Sequence, residues 1–302
     1  MLDSTLVIAI RSGTAIMFAV LGAILTEKSG VINLAIEGVL KLSAMVAVAA
    51  ALATGSALIG ILAAALAGSI LMLVHAFGCV TLRMNQVATG LAITILGSGL
   101  AELLGEGVVG KVPQTLERTT LPVLGSLPVI GAWFRDQDLM TMLLPLVMLL
   151  VWWLVFKTRI GINLRAVGEN PQAAAALGVK VMRTRYLFCL GGGFLIGLGG
   201  AHLSLAFTPG WSNNITAGRG WIAVAIVIFS FWHPVGAVAG MLLFGGVLAL
   251  KFRFQAMGVK LPVYFLDMLP YLATVSALTL MSWKRSWSRW APKALGQPYY
   301  RE

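Results

Sequence analysis

The chain has 302 residues, of which 59% are hydrophobic and 11% are charged, and its mean hydropathy is +0.90. A soluble domain carries about 25% charged residues, so this composition excludes a soluble protein and predicts a polytopic helical membrane protein. The net charge of +11 does not predict a nucleic-acid partner, because Lys and Arg cluster in loops that flank apolar segments. Membrane topology and contacts with anionic lipid explain such clusters.

Apolar segments follow one another along the whole chain and predict an all-α fold with about eight (seven to ten) transmembrane helices. The first segment lacks the basic region and cleavage site of a signal peptide, so it is predicted to be a span. The region 106–138 holds three prolines and balanced charge, which favours the outside. The approximate segments are 5–25, 42–57, 58–77, 88–105, 139–156, 186–206, 221–249 and 264–283.

The segment 221–249 contains an interruption at His233-Pro234. Its first part, 221–232, rises about 18 Å as a helix, whereas the hydrocarbon core of a bilayer is about 30 Å thick. Two interpretations remain open. In the first, 221–232 and 236–249 are two separate membrane passes. In the second, a half-helix is followed by a sharp turn at His233-Pro234 and a second helix.

A basic loop at 158–185 separates two of the spans. With Lys157 it carries six Lys and Arg residues and one acidic residue, Glu169, so the positive-inside rule places it in the cytoplasm. Asn170 is a good N-cap, Pro171 suits the first helical position, and Gly178 can end the helix after four alanines. The loop therefore predicts a small rigid helix on which a soluble partner can act. The basic tail 284–302 is predicted to be cytoplasmic as well.

Two polar interruptions, at 30–38 and 210–218, resemble each other. In each, an asparagine, Asn33 or Asn213, precedes a closing glycine by five residues, and an apolar run follows. The predicted topology places the first interruption on the inner side and the second on the outer side. Broken helices in opposite orientation are typical of inverted-repeat transporters, whose pathway lies at the repeat interface. Chance similarity is the alternative.

Ionisable residues within the apolar segments are few. They are Arg11, Glu37, Glu102 and Asp267, together with His202. A proton relay needs a chain of such groups, so an ion-coupled carrier is disfavoured. For Glu37 a helix cap or salt bridge and a position on the pathway both remain open.

Several further patterns leave alternatives open. The glycine-rich stretch 191–201 allows close helix approach, within one bundle or between two chains. Most tryptophans near span ends form an interfacial belt. Trp211 and Trp221 flank the polar turn at Asn213 and Asn214, so both are candidates to guard the outer mouth of a pathway.

Catalytic and metal motifs are missing from the sequence. It contains no P-loop, HExxH or GxSxG motif, and its two cysteines and three histidines lack metal-ligand spacing. We therefore predict that this chain is not an enzyme, binds no metal and binds no cofactor of its own.

Three segments in order resemble the permeases of ATP-binding-cassette importers for ribose, branched-chain amino acids and nucleosides. Residues 166–174 (AVGENPQAA) with 178–181 (GVKV) resemble the segment that couples to the ATPase. Residues 27–38 (EKSGVINLAIEG) and 218–229 (GRGWIAVAIVIF) resemble the two polar motifs of the nucleoside and simple-sugar type.

This resemblance implies a single transmembrane permease domain over 1–302, in a bacterial-type plasma membrane with its C-terminus in the cytoplasm. It implies a second permease chain, a cytoplasmic ATPase that binds ATP and Mg²⁺, and an extracytoplasmic binding protein or lipoprotein. The residues it assigns to ATPase coupling are Arg165, Gly168, Glu169, Asn170, Pro171, Ala174 and Gly178. The pathway residues expected from the motifs and the polar turn are Asn33, Glu37, Asn213, Asn214, Trp211 and Trp221.

Uncharged asparagines beside aromatic side chains suit a neutral, hydrogen-bonding solute, so a nucleoside is favoured. A simple sugar or a branched-chain amino acid is the alternative within this class, and an ion-coupled secondary carrier is the alternative outside it. The sequence leaves open whether the pore contains two identical chains or two different ones.

Overall fold

The computed structural model describes residues 2–127, 130–257 and 291–300, with isolated positions at 268, 272, 275, 276 and 279. The predicted span at 264–283, Asp267 and the part of the predicted tail before residue 291 lie outside the continuous described segments. Within the described residues the fold is helical, apart from a two-stranded ribbon.

The helices follow the apolar segments of the sequence. Their bounds are α1 Leu2–Lys28, α2 Ile36–Thr54, α3 Ala57–Ala76, α4 Gln86–Gly105, α5 Pro122–Gly125, α6 Leu139–Lys157, α7 Arg159–Glu169, α8 Pro171–Ala176, α9 Val181–His202, α10 Arg219–Phe229 and α11 Ala237–Ala256. Short π-helical turns extend α3 through Thr81 and α9 through Phe207. Strands β1 (Arg118–Thr119) and β2 (Gln137–Asp138) pair antiparallel.

Six described helices are long and apolar enough to cross a membrane, and the prediction of an all-α polytopic membrane protein is confirmed. They are Thr5–Lys28, Ile36–Thr54, Ala57–Thr81, Gln86–Val108, Leu139–Lys157 and Val181–Phe207. One predicted boundary is wrong. The second span begins at Ile36, not at 42, so Glu37 and Lys41 lie inside α2. The sequence places this start too late because both charges interrupt the apolar run.

Helix α1 forms the centre of the bundle and is buried along almost its whole length. Its residues are apolar on all sides, as expected for a helix that other helices surround. Helices α9 and α11 pack against it in antiparallel directions. Gly22 of α1 lies against Gly192 of α9, and Gly13 lies against Met241 of α11.

The described part of the bundle has two ends, which we name by their contents. The basic face holds α7, α8 and the tail segment 291–300, which hydrogen-bonds to Gly168 and Gly30. The far face holds β1, β2 and the loop that follows α9. The predicted loop at 158–185 and the described tail segment 291–300 therefore lie on one face, as their shared charge indicates.

The segment around α10 crosses the bundle as an interrupted helix. Helix α10 has 11 residues, a rise of about 16 Å, and it begins beside Glu37 in the first turn of α2. That turn packs on Thr94, which lies about 12 Å along α4 from its first residue, Gln86. Helix α10 therefore begins within the membrane-spanning layer. The ring of His233 lies 4.9 Å from that of Phe156 near the basic face. The half-helix interpretation is confirmed, and α11 then returns toward the far face.

The glycine-rich stretch of α9 packs within the bundle. A Cβ at Gly193 would collide with the carbonyl of Gly68 in α3, and one at Gly197 would collide with that of Ala64. These backbones are in direct contact, as small residues permit in membranes. The contact is therefore internal to one chain.

This contact gives a matched test of packing. Gly193→Ala should lower the melting temperature in detergent and the folded yield, because the added methyl group separates α3 from α9. Gly191→Ala should be neutral, since the nearest atom to its Cβ is 4.0 Å away. Thermal unfolding followed by size-exclusion fluorescence measures both. Equal melting temperatures for the two variants would contradict the contact.

Candidate functional site

The two polar interruptions of the sequence meet inside the bundle. The backbone N–H of Gly218 donates to Oε1 of Glu37 at 3.2 Å, and that of Gly220 donates to Oε2 at 2.6 Å. One carboxylate thus caps the first turn of α10, where N–H groups have no helical partner. Of the two roles left open for Glu37, the structure supports the cap. We call this contact the joint.

A second glutamate holds the opposite end of α10. Oε2 of Glu27 accepts from Nε1 of Trp232 at 2.6 Å, and its Oε1 accepts from the backbone N–H of Asn33 at 3.4 Å. Glu27 and Glu37 flank the irregular segment 29–35. Hydrogen bonds from the two sides of the α1–α2 connection therefore hold α10 beside both of its ends. The sequence analysis did not identify Glu27, although it lies in the quoted motif.

The interruptions enter the bundle from opposite faces, as predicted. Segment 29–35 starts at the basic face, where Gly30 accepts from Gly296, and it leads to Glu37. The other starts at the far face, where Trp211 packs on Gly105 at the end of α4, and it leads to Gly218. Internal symmetry of the whole chain stays a prediction.

The remaining pathway candidates lie in different surroundings. Asn33 is buried, and its Oδ1 accepts from the backbone N–H of Ala35 at 3.1 Å at the start of α2. Asn213 and Asn214 are exposed. Trp211 is buried beside a cleft of about 200 Å³ that Lys111 and Ser212 also line, and Trp221 is 39% exposed. Of the predicted pathway residues, Glu37 lies at the joint, where it contacts the N-terminal end of α10. The turn at Asn213 and Asn214 lies toward the far face.

Two consecutive helices form the exposed part of the basic face. The side chain of Thr158 caps α7, accepting from Gly161 N–H at 3.0 Å, and that of Asn170 caps α8, accepting from Ala173 N–H at 2.9 Å. Pro171 occupies the first turn of α8, and Gly178 has a φ of +85° after it. The predicted caps of α8 are confirmed. Helix α7 was not predicted as a separate element.

The predicted coupling residues divide by burial. Gly168, Pro171 and Ala174 are buried and hold the two helices on the bundle. Arg165 is half-buried over the ring of Phe156. The exposed members are Glu169, Asn170 and Gly178.

The sequence analysis missed the most exposed apolar residue of this surface and misplaced a basic one. Leu177 follows α8 and is 85% exposed. Arg185, counted with the basic loop, lies in α9, is fully buried and donates to the carbonyl of Gln297 at 3.1 Å. Its position follows from the start of α9 at Val181, inside the predicted loop.

The tail segment fastens these helices to the bundle. Ala294 N–H donates to Gly168 O at 2.9 Å, and Gly296 N–H donates to Gly30 O at 3.1 Å. The ring of Tyr299 packs on a small cluster of buried residues beneath α8. The cluster contains Val167, Ala174 and Val181. A Cβ at Gly168 would also collide with the carbonyl of Lys28, so α7 touches the end of α1 directly. A continuous set of contacts thus runs from α7 through 28–30 to Glu27 and the joint.

Other ionisable groups near the spans have partners. Arg11 pairs with Asp136 at 2.8 Å, and Lys41 pairs with Glu102. Nε2 of His202 lies 3.2 Å from Oδ2 of Asp138. Burial would raise the pKa of the Asp138 carboxyl, but His202 and hydrogen bonds from Thr141 hold it well below its usual range. Such pairing is typical of structural groups more than of a proton relay.

Metal-binding groups are not gathered in the part of the chain that the structure describes. No cluster of three or more His, Cys, Asp and Glu residues there could hold an ion. Both cysteines are buried, without a disulfide.

Known proteins resemble this chain over nearly its full length. A family described as "Branched-chain amino acid transport system / permease component" matches residues 5–278. The chain belongs to this family. No solved structure matches it.

Individual relatives are permeases of ATP-binding-cassette (ABC) transporters. The putative glucose ABC transporter permease protein TsgC13 of Haloferax volcanii is 34% identical over 97% of this chain and 96% of its own. The guanosine ABC transporter permease protein NupQ of Bacillus subtilis is 32% identical over 94% and 92%. The nucleoside ABC transporter permease protein NupC of Lactococcus lactis is 34% identical over 95% and 93%. The chain is therefore a multi-pass membrane permease subunit and not an enzyme, as predicted.

The joint yields a stability prediction for this permease. Glu37→Ala leaves the N–H groups of Gly218 and Gly220 unpaired away from water, which should cost about 1–3 kcal/mol. Glu37→Gln keeps one acceptor oxygen and should cost less. Thermal unfolding in detergent compares both with Glu106→Ala, an exposed control. A loss for Glu37→Ala no larger than for Glu106→Ala would contradict the cap.

The tail yields a second prediction. Tyr299→Ala removes the ring under α8 and should raise amide hydrogen exchange in α7 and α8 at least threefold, because their packing loosens. Tyr300→Ala is the neighbouring control, since its ring is 55% exposed. Exchange followed by mass spectrometry measures both. Unchanged exchange in Tyr299→Ala would show that the tail does not hold these helices.

Proposed function

We propose that this permease forms half of the translocation pathway of an ATP-driven importer for a nucleoside. NupQ and NupC are described as guanosine and nucleoside permeases, and both align with almost the whole chain. The structural observation that supports import driven by a partner is the contact chain from the exposed helices α7 and α8 to the joint.

The basic face is the cytoplasmic face in this proposal. The cluster of Lys and Arg in 158–185 supports that orientation by the positive-inside rule. It places the tail in the cytoplasm and the turn at Asn213 and Asn214 outside. An extracytoplasmic binding protein would deliver the solute there, and a second permease chain would complete the pathway. The Lactococcus protein NupB, 28% identical over 34% of this chain, supports a partner of the same family.

The cytoplasmic ATPase docks on α8 in this scheme. Glu169, Asn170 and Leu177 supply the contact, because they are exposed at the ends of this rigid helix. Gly168, Pro171 and Ala174 position the helix against the bundle. The ATPase binds ATP and Mg²⁺, and this chain supplies no group for either.

Movement of α8 reaches the pathway through short, stiff contacts. Gly168 of α7 is in direct contact with the backbone of Lys28. The preceding residue, Glu27, accepts a hydrogen bond from Trp232, which follows α10. Glu37 holds the other end of α10. A displacement of the α1–α2 connection therefore shifts the half-helix as a unit. Two positions of this unit would give inward- and outward-facing states, and the docked ATPase would bias their populations.

One other function has a specific basis, and a second is disfavoured by the pairing of charged groups. A sugar importer is supported by the likeness to TsgC13, and it differs from the proposal in solute alone. An ion-driven carrier would need titratable groups along the pathway, whereas Arg11, Lys41 and Glu102 are paired with one another or with loop residues.

Reconstitution tests the function. Proteoliposomes that contain this permease, its second permease, the ATPase and the binding protein should take up radiolabelled uridine or guanosine with ATP. They should take up neither without the ATPase under a proton or sodium gradient. Uptake under the gradient alone would establish the carrier, and ATP-driven uptake of glucose but not nucleosides would establish the sugar importer.

The docking surface gives a sharper prediction. Leu177→Ser should weaken ATPase binding about tenfold or more, because an exposed anchor side chain in an interface is worth about 1–2 kcal/mol or more. Val123→Ser is the control, since that residue is 80% exposed at the far face. Co-purification and ATPase titration in detergent measure both. Equal affinities for the two variants would remove α8 from the docking surface.

A further inference from the structure

An ion pair with unequal exposure lies within the spans. The ammonium of Lys41 in α2 contacts Oε1 of Glu102 in α4. The Lys41 side chain is 11% exposed and that of Glu102 is 50% exposed. Among the described residues this is the one polar contact of either charged group, so both keep hydrogen-bonding capacity.

Glu102 lies inside the span that α4 forms. It is about 24 Å along α4 from Gln86 and about 9 Å before the end of the span at Val108. Its carboxylate contacts Lys41. A half-exposed carboxylate at this depth is costly in hydrocarbon, so water or protein must cover it.

The exposed surface of α4 has two different flanks. The polar flank repeats at helical spacing of three and four residues, whereas the apolar flank carries leucines. The polar flank consists of Ser98, Glu102 and Glu106 and also contains Ile95, which is 73% exposed, the apolar flank includes Leu96 and Leu103, and Gly99 lies between the two. Around Gly99 no atom lies within 4 Å of the Cβ position, so the polar flank borders open space.

The polar flank adjoins the joint. Glu37 precedes Lys41 by one turn on the same side of α2, and its carboxylate reaches α10. Gly105, one turn after Glu102, contacts Trp211 of the segment that leads to α10. Helix α2 thus carries both polar contacts on one side, that of Glu37 with α10 and that of Lys41 with α4.

We propose that Lys41 and Glu102 form a solute-contacting site on the wall of the translocation pathway, for a neutral solute with adjacent hydroxyl groups. The carboxylate accepts from a hydroxyl and the ammonium donates to its neighbour. The pair carries no net charge, so it favours a sugar ring over an ion. This site rests on the proposed function, and it serves a ribose and a hexose equally.

Cysteine labelling tests whether the flank faces water. In the complete importer with Cys79→Ala and Cys189→Ala, Ser98→Cys should react with a membrane-impermeant cationic methanethiosulfonate. Added uridine with the binding protein and ATP should slow this reaction at least threefold. Leu103→Cys, which is 67% exposed in the isolated chain, lies on the other flank, is the control and should not react. A Ser98→Cys as unreactive as Leu103→Cys, or one whose labelling ignores uridine, overturns the site.

Solute selectivity tests the role of the charges. Glu102→Gln should lower kcat/KM for uridine about tenfold and for 2′-deoxyuridine about threefold or less, because the deoxy solute lacks one hydroxyl. Leu103→Ala should leave both unchanged. Equal losses for the two solutes in Glu102→Gln, with normal ATPase binding, overturn the site and leave the importer intact. No ATP-driven uridine uptake by the wild type refutes the nucleoside proposal instead, and the same comparison with glucose and 2-deoxyglucose then decides the site.

Discussion

Backbone polar groups inside a membrane need partners within the protein, and this constraint governs the centre of the permease. Two irregular segments, 29–35 and 208–218, lead into the bundle, and α10 begins at a depth where its first N–H groups need partners within the protein. The carboxylate of Glu37 satisfies the first turn of α10, and that of Glu27 holds Trp232 after its end. Because the two glutamates flank the α1–α2 connection, the hydrogen bonds that satisfy these polar groups also link that connection to both ends of α10.

The link explains why the surface helices and the bundle interior form one system. Helix α7 meets α1 at a glycine, since a side chain at Gly168 would separate them. The tail segment 291–300 bonds to both Gly168 and Gly30, so it braces the same contact from outside. Short backbone contacts transmit displacement with little loss, because close-packed elements do not deform continuously. In the proposed scheme, a partner that moves α8 acts on α10 through these contacts.

The other charged pairs in or near the spans have different roles. Arg11 and His202 bind the region of β2 to the bundle at the far face, where their partners are Asp136 and Asp138. Lys41 and Glu102 differ, since both lie within spanning helices and the Glu102 side chain is half-exposed there. Exposure alone does not distinguish these pairs, because the Asp136 side chain is 63% exposed as well. Position does, because a half-exposed carboxylate inside a span needs a polar partner, whereas one in a loop outside the spans does not.

The sequence by itself determined the membrane class, most span positions, the caps of α8 and the family. Long apolar runs predict spans, and the Asn170-Pro171 pair predicts a helix start. Both signals are local, so they can be recognised without knowledge of the tertiary structure. Only the tertiary structure decided the cap by Glu37, the grip of Glu27 on Trp232, the burial of Arg185 and the pairing of Lys41 with Glu102. Each joins residues far apart in the chain, and from the sequence Glu37 could be a helix cap, a salt-bridge partner or a pathway residue. Their partners are set by how helices pack, which local pattern does not encode.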